Sequence, residues 1–375
     1  MKILYVLDFF YPYRGGVSYV FHNLAKELVK KGHDITVITS LAGTEKKFEV
    51  VDGIKVYRFG KGRFPSLVSM FFKLLFWRER YDLVHTSTYQ SIIPTYFYSK
   101  LKGTPKAVTI HEVWSLKEWL EFLGWKGFFY FLEERILLLF PFDFYLMPSR
   151  HTKEDAVNLA GIPSEKSKVI PHGIEGLFSP GLRKYRKQIR GRYKIPDDMP
   201  TGFFSSKATT FKGIYYLLDA VEMVAGKTNN IKFIFFIYKD REYEKFVNRI
   251  EKTDSLKKSI ILVTNPDRED LAKYIAASDF ALVPSLTEGF CLAAADYASV
   301  GVPVIAFKNS CLPEVLDERT TIFVRSRDSE QLAEAILKLS TDKRLRKRMS
   351  KRKRFNTWST IAKEYENLYQ KLIND

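Results

Sequence analysis

Phe280-Ala281-Leu282-Val283-Pro284-Ser285-Leu286-Thr287-Glu288-Gly289-Phe290-Cys291-Leu292, continuing to Asp296 and Gly301-Val302-Pro303-Val304-Ile305, is the stretch that decides how this chain folds. An apolar run ends in Pro-Ser, a loop presents Glu288-Gly289, and a helix is expected to begin near Cys291 before the next apolar run. Strand, loop, helix, strand is the repeating unit of a parallel sheet covered by helices. In such sheets ligands sit beyond the carboxyl ends of the strands, where this loop falls. Free amides at the helix start suit a phosphate. Asp296 lies eight residues after Glu288, about two helical turns if the helix covers the interval. The two carboxylates would then address two parts of one ligand.

The same alternation extends in both directions. Strands are expected at 201–205, 231–237, 260–263, 280–284 and 302–306, and in the first half at 3–7, 35–39, 83–85, 107–110 and 144–147. A helix is expected over 17–31, with Val17, Val20, Phe21, Leu24 and Leu28 on one face and Gly32 as its stop. Between the halves, 173–198 is charged and turn-rich (Pro180, Gly181, Gly191, Pro196), as a domain junction would be. No internal repeat of solenoid period is present. The expected architecture is α/β, with two parallel-sheet domains facing each other across a cleft. At 375 residues the chain exceeds what one core usually serves.

Two more turns carry residues suited to a phosphorylated ligand. Tyr11-Pro12-Tyr13-Arg14-Gly15-Gly16 opens the helix at 17, and paired glycines let backbone approach a ligand. Ser205-Ser206-Lys207-Ala208-Thr209-Thr210-Phe211-Lys212-Gly213 places two lysines across a strand-to-helix turn, where both can converge on a diphosphate. A plain turn and a pair of solvated lysines would give the same residues. His111, alone at the end of a strand, would ordinarily be a structural histidine.

Composition narrows the partners. With 60 basic and 43 acidic residues the chain carries a formal charge of +17, which favours anions: nucleotide phosphates, anionic lipid or nucleic acid. No nucleic-acid-binding module accompanies the charge, so no specific nucleic acid is expected. Only Cys291 and Cys311 occur, which is no disulfide framework and fits a reducing cytoplasm. No apolar run approaches the roughly 20 residues of a spanning helix. Lys73 interrupts one candidate, and Pro141 and Asp143 another. A soluble or peripheral protein of the cytoplasm is expected.

Taken together, these segments resemble the retaining glycosyltransferases of the two-domain GT-B fold, glycosyltransferase family 4. The resemblance covers nearly the whole chain. It runs through Gly15-Gly16 with Asn23-Leu24-Ala25-Lys26-Glu27-Leu28 and Gly32-His33, then Thr109-Ile110-His111-Glu112, Met147-Pro148-Ser149 and Val169-Ile170-Pro171-His172-Gly173-Ile174. It continues through Lys207, Lys212-Gly213, Pro284-Ser285, Glu288-Gly289-Phe290 and Gly301-Val302-Pro303-Val304-Ile305.

The resemblance implies two Rossmann-like domains: an acceptor domain over 1–172, on which a helix at 356–375 packs back, and a nucleotide-sugar donor domain over 173–355. Lys207 and Lys212 would bind the donor diphosphate, Glu288 the transferred sugar, and Asp296 the ribose. Amides of Gly289, Phe290, Cys291 and Leu292 would meet phosphate or sugar, and Gly15-Gly16 would also face the donor. His111, Glu288 and Lys212 would form the catalytic set, with His111 orienting the sugar or transition state. Lysine charge and helix-start dipoles would stabilise the departing diphosphate, so no metal and no cofactor are expected. The sequence has no Asp-x-Asp motif.

Four positions depart from the family's pattern. Lys207 stands where arginine is usual and keeps charge without the planar fork. Asp296 replaces glutamate, Tyr238-Lys239-Asp240 replaces a Gly-x-Gly turn beside the nucleotide, and Cys291 replaces glycine. All bear on donor choice. The function implied is transfer of a hexose-type sugar from a UDP- or GDP-linked donor to a glycan or lipid-linked acceptor of the cell envelope. Alternatives are a GT-B nucleotide-sugar epimerase and a non-catalytic sugar-nucleotide- or lipid-binding homologue.

Aromatic residues, 15% of the chain, gather in the first half and suggest where an acceptor membrane would touch. Residues 61–80 and 114–144 mix Phe and Trp with Lys and Arg, as segments in an anionic membrane interface do, although ordinary core helices share that pattern. Residues 343–354 are almost wholly basic, a solvated helix face or an attraction for anionic lipid.

Overall fold

Short apolar runs become strands and the amphipathic segments between them become helices, giving two α/β units in the computed structural model, which describes residues 1–374. The first unit, Met1–Gly173 with Asn356–Asp375, begins with β1 (Lys2–Val6), α1 (Gly16–Lys30), β2 (Asp34–Thr39), β3 (Phe48–Val51), β4 (Ile54–Arg58), α2 (Arg63–Leu75) and β5 (Leu83–Ser87). It continues with α3 (Ile92–Lys102), β6 (Lys106–Thr109), α4 (Leu116–Leu123), α5 (Lys126–Leu138), β7 (Phe144–Met147), α6 (Arg150–Ala160) and β8 (Ser167–Val169).

The second unit, Ile174–Phe355, holds α7 (Arg186–Arg192), β9 (Thr201–Lys207), α8 (Ile214–Lys227), β10 (Lys232–Tyr238), α9 (Tyr243–Lys252), α10 (Asp254–Ser259) and β11 (Ile260–Thr264). After these come α11 (Arg268–Ala277), β12 (Phe280–Val283), α12 (Leu292–Val300), β13 (Val304–Phe307), α13 (Leu312–Val315), β14 (Thr321–Val324), α14 (Ser329–Thr341) and α15 (Lys343–Met349). The chain then returns to the first unit as α16 (Trp358–Asn374).

The first sheet has the order β3-β4-β2-β1-β5-β6-β7-β8, and only β3 runs antiparallel to its neighbour. The second, β11-β10-β9-β12-β13-β14, is parallel throughout. In each, the strand order reverses beside the first strand, between β1 and β5 and between β9 and β12. That is the position at which doubly wound sheets bind ligands.

Burial on both faces explains the continuous apolar strands. In β1, Leu4 and Val6 pack with Met70 and Leu74 of α2 and with Tyr98 of α3. Tyr5, on the other face, meets Phe21 of α1 edge-on at 5.2 Å and bonds through its hydroxyl to Tyr369 of α16. The attachment of α16 is specific. His85 Nδ1 lies 2.5 Å from the Tyr369 hydroxyl, and Glu366 pairs with Lys31 and His33 at 2.8 Å each. A Cβ on Gly173 would approach Trp358 Cα to 2.7 Å, so the helix start sits directly on this glycine.

The expected strands and the helix at 17–31 appear within a few residues of their predicted bounds. The β3–β4 hairpin was not expected, although Asp52-Gly53 supplies its turn with both φ angles positive, a signal that can be read from the dipeptide itself. Residues 114–144 look irregular in sequence but form α4 and α5. Ser115 and Glu118 make a reciprocal capping box that starts α4.

Candidate functional site

In the second unit the site grows from the carboxyl ends of β9 and β12. Lys207 closes β9, and the following turn is pinned by Glu242, whose Oε1 accepts from the Thr210 amide at 3.0 Å and hydroxyl at 2.6 Å. Gly213 starts α8 at φ +68°, and a Cβ there would lie 1.8 Å from the Pro284 carbonyl oxygen. The Leu286 amide donates to the Phe211 carbonyl at 2.8 Å. Asn309 Nδ2 donates to the carbonyls of Ser285 and Leu286. Two loops from neighbouring strands are thereby stitched together at van der Waals contact.

That stitching brings Lys212 to Glu288, with Nζ 2.8 Å from Oε1. Glu288 is buried, and the same oxygen accepts from the Ser285 hydroxyl at 2.7 Å. The next residues, Gly289, Phe290 and Cys291, are also buried and lead into the first turn of α12. The helix does not span the whole interval from Glu288 to Asp296. It starts at Leu292, because Cys291 adopts the left-handed conformation (φ +62°, ψ +75°) and turns the chain. Glycine tolerates that region without penalty, which gives the family's usual glycine here a steric reason.

The other two expected donor residues lie on the same sheet edge but are engaged elsewhere. Lys207 Nζ stands 3.4 Å from Asp240, a residue in the turn after β10 where the family pattern has glycines. Asp296 is 1% exposed, and both its oxygens accept from Arg268 Nη2, at 3.2 and 3.0 Å. Arg268 Nε also donates to Glu175 at 2.9 Å, and its guanidinium lies 4.7 Å over the Phe178 ring. Burial pushes the Asp296 carboxyl up to about 7, opposed by Arg268 and reinforced by Glu175. Arg268, Glu242 and Asn309 had not been singled out from sequence, and Asp240 and Ser285 had been noted without these contacts. The partners described lie 23 residues away or more, except for Ser285 and Glu288 at three.

In the first unit, Gly15 caps α1 in extended conformation, and a Cβ there would meet the Tyr13 ring at 2.8 Å. A Cβ on Gly16 meets nothing within 4 Å among the described residues. Across the order reversal, Asp8 accepts the amides of Tyr89, Gln90 and Ser91 at 2.9 to 3.2 Å and fixes the turn after β5. His111 follows β6, with its ring 6.2 Å from Phe21 and 5.5 Å from His172, which in turn stacks on Trp358 at 6.2 Å. His111 Nε2 is buried and has no hydrogen-bond partner among the described residues. Burial lowers the pKa of His111 to about 4, so a neutral imidazole stands ready at neutral pH.

All six histidines lie in the first unit. Burial holds His85 down to about 3, His111 to about 4 and His172 well below its ordinary value. Each folded-state pKa is below the unfolded value of about 6.5, so the folded unit binds fewer protons between them. The stability they contribute is full above about pH 6.5 and falls as pH drops toward 4. Glu134, raised by burial to about 7, works in the opposite sense, as do Asp8 and Asp155, whose carboxyls burial also raises; the expectation is that the three histidines outweigh them. Hydrogen exchange at pH 5 and pH 7.5, corrected for intrinsic rates, should show the sheet amides of the first unit less protected at pH 5. Equal protection at both pH values would mean that the buried histidines do not set the pH dependence of this unit.

Comparison with known proteins agrees with this arrangement. Residues 14–175 match Glycosyltransferase Family 4, and residues 185–355 match Glycosyl transferases group 1. One human relative, which is part of the phosphatidylinositol N-acetylglucosaminyltransferase, is 25% identical over 99% of this chain and 76% of its own length. An uncharacterised glycosyltransferase of Methanocaldococcus jannaschii, MJ1607, is 23% identical over 96% of each chain. Among solved structures, sucrose-phosphate synthase from Thermosynechococcus elongatus superposes with a TM-score of 0.80 at 20% identity, over 100% of both chains. Anabaena Alr3699/HepE, solved in complex with UDP and glucose, gives 0.77 at 18% identity, over 99% of this chain and 100% of its own.

Proposed function

Since this chain belongs to the GT-B glycosyltransferases of family 4, we propose that it transfers a hexose-type sugar, with retention of anomeric configuration, from a UDP- or GDP-sugar to a lipid-linked or glycan acceptor at a membrane surface. The observation that carries the reading is the Lys212–Glu288 pair, 2.8 Å apart beside the first turn of α12. A carboxylate accepts from sugar hydroxyls, an ammonium neutralises a phosphate, and the amides and dipole of a helix start favour an anion. The three together suit a sugar whose anomeric carbon is bonded to a diphosphate.

In the proposed reaction Glu288 orients the sugar through its hydroxyls. Lys212 and the 289–292 backbone take up charge as the bond from the anomeric carbon to the diphosphate oxygen breaks. Lys207 holds the diphosphate more weakly than arginine would, because Asp240 shares its charge. Asp296 and Arg268 act as one unit at the ribose. In the first unit, the neutral His111 is assigned the orienting role through Nε2, and the Gly15-Gly16 turn that of approach to the donor. The second unit is read as the donor domain and the first as the acceptor domain. The solved UDP and glucose complex of Alr3699/HepE supports a hexose donor, and the name of the human relative supports a lipid acceptor.

The test is a panel of UDP- and GDP-sugars, first by thermal shift and then by turnover with and without lipid-linked acceptors. One donor should raise the melting temperature by mass action, hydrolyse slowly alone and react faster with acceptor. The product should keep the anomeric configuration by NMR, and the rate should survive EDTA. An isomerised sugar appearing without acceptor would make the protein an epimerase. No shift with any nucleotide sugar would make it a non-catalytic homologue.

A further inference from the structure

Several helices of the first unit are as apolar on their outward faces as on their inward ones. On α2 the buried residues Ser66, Met70 and Leu74 form one stripe, and the exposed residues Phe64, Val68, Phe72 and Phe76 form another. At about 100° per residue the second stripe falls opposite the first. α5 repeats the arrangement. Gly127, Glu134 and Leu138 face inward, while Phe129, Leu132 and Ile136 face outward between Trp125 and Leu139, each 45% exposed or more. α3 adds Phe97 and Leu101.

These helices form one layer on one side of the first sheet. Arg63 of α2 pairs with Glu133 of α5 at 2.7 Å and lies 4.9 Å over the Tyr130 ring. Phe71 of α2 meets Phe97 of α3 at 5.5 Å, and Phe97 meets Phe140 at 6.4 Å. In the second unit Met223 is the only exposed large apolar side chain among the described residues. A helix apolar all round is normally buried, and an exposed apolar surface this extended marks a contact site. No helix among the described residues is long and apolar enough to cross a membrane.

Charge selects the occupant. α2 and α3 contain no acidic residue and carry Arg63, Lys73, Lys100 and Lys102. The two acids of α5 are engaged, Glu133 with Arg63 and the buried Glu134 with Arg135. A second copy of this face would set cations against cations. Phenylalanine and tryptophan ringed by lysine and arginine suit the boundary between acyl chains and anionic headgroups. The geometry points to this layer as the surface by which the first unit lies on an anionic lipid bilayer, with α2 and α5 in the interface plane. The assignment rests on the membrane-surface reading of the acceptor for its purpose. Vesicle binding, however, is measured without sugar transfer, so either can fail alone.

The full chain is sedimented with phosphatidylcholine vesicles and with mixed phosphatidylcholine/phosphatidylglycerol vesicles, at low and high salt. Binding should require the anionic lipid and weaken as salt screens it. The combined change Phe72→Ser, Phe76→Ser, Phe129→Ser should lower it by at least about tenfold. Lys73→Gln alone should lower it about fivefold. Melting temperature and donor hydrolysis should stay as in the unaltered protein for both. No binding to anionic vesicles at low salt would overturn the proposal. So would a dimer, or a stable complex with an added protein, that the triple change abolishes while vesicle binding persists.

Discussion

Lys212→Ala should lower the rate of sugar transfer by about 10²- to 10³-fold, the loss typical of removing one charged group that stabilises a developing anion. The substitution takes the ammonium 2.8 Å from Glu288 out of a site where that carboxylate is 8% exposed. Two consequences follow from the same contact. In the proposed reaction the leaving diphosphate loses a cation, and the carboxylate loses its cationic partner while keeping the Ser285 hydroxyl. Lys212→Arg restores charge in a wider, planar group and should recover part of the rate. If the two side chains work as one unit, Lys212→Ala with Glu288→Gln should lose little more than either change alone. Strict additivity in kcat, with circular dichroism unchanged, would argue that they act on separate steps.

Gly213→Ala is the substitution expected to cost most in stability. Its Cβ would lie 1.8 Å from the Pro284 carbonyl oxygen, a backbone atom that cannot swing aside, and φ is +68°. The left-handed conformation alone costs a non-glycine residue about 1–2 kcal/mol. Separating two stitched loops adds enough that a total above about 4 kcal/mol is expected. Gly226 gives the contrast. It lies within α8, and a Cβ there meets nothing within 4 Å, so Gly226→Ala should stabilise by about 0.5–1 kcal/mol. Urea melts of both variants decide the matter. A Gly213→Ala protein as stable as the unaltered chain would mean that the close approach of the loops is not a feature of the native state.

The sheet strands and the helix after the glycine pair were legible because each is written locally, whereas Lys212 and Glu288 were picked from separate turns and meet only through the fold. An apolar run of about five, a Gly-Gly turn or a Pro-Ser ending each occupies only a few adjacent residues. The GT-B resemblance added their order. What was not legible depends on residues distant in sequence. Asp296 reads as an open ligand carboxylate until Arg268, 28 residues earlier, is found on both its oxygens. Lys207 reads as a free diphosphate cation until the turn after β10 delivers Asp240. No local pattern encodes either meeting. The Asp52-Gly53 turn is a different case, for its signal was present in the dipeptide and its strands were too short and half-exposed to draw notice.

The return of α16 to the first unit has a consequence for how the polypeptide is made. Tyr5, His85 and Thr109 all precede the second unit, yet Tyr369, which seals them, emerges only after the whole of it. At typical ribosomal speeds that interval is on the order of ten seconds or more. The uninterrupted second unit has all its strands in hand while the nascent first sheet still exposes one flank. Its synthesis therefore favours completion in reverse order, with the amino-terminal half the last to close and the one in need of chaperone cover.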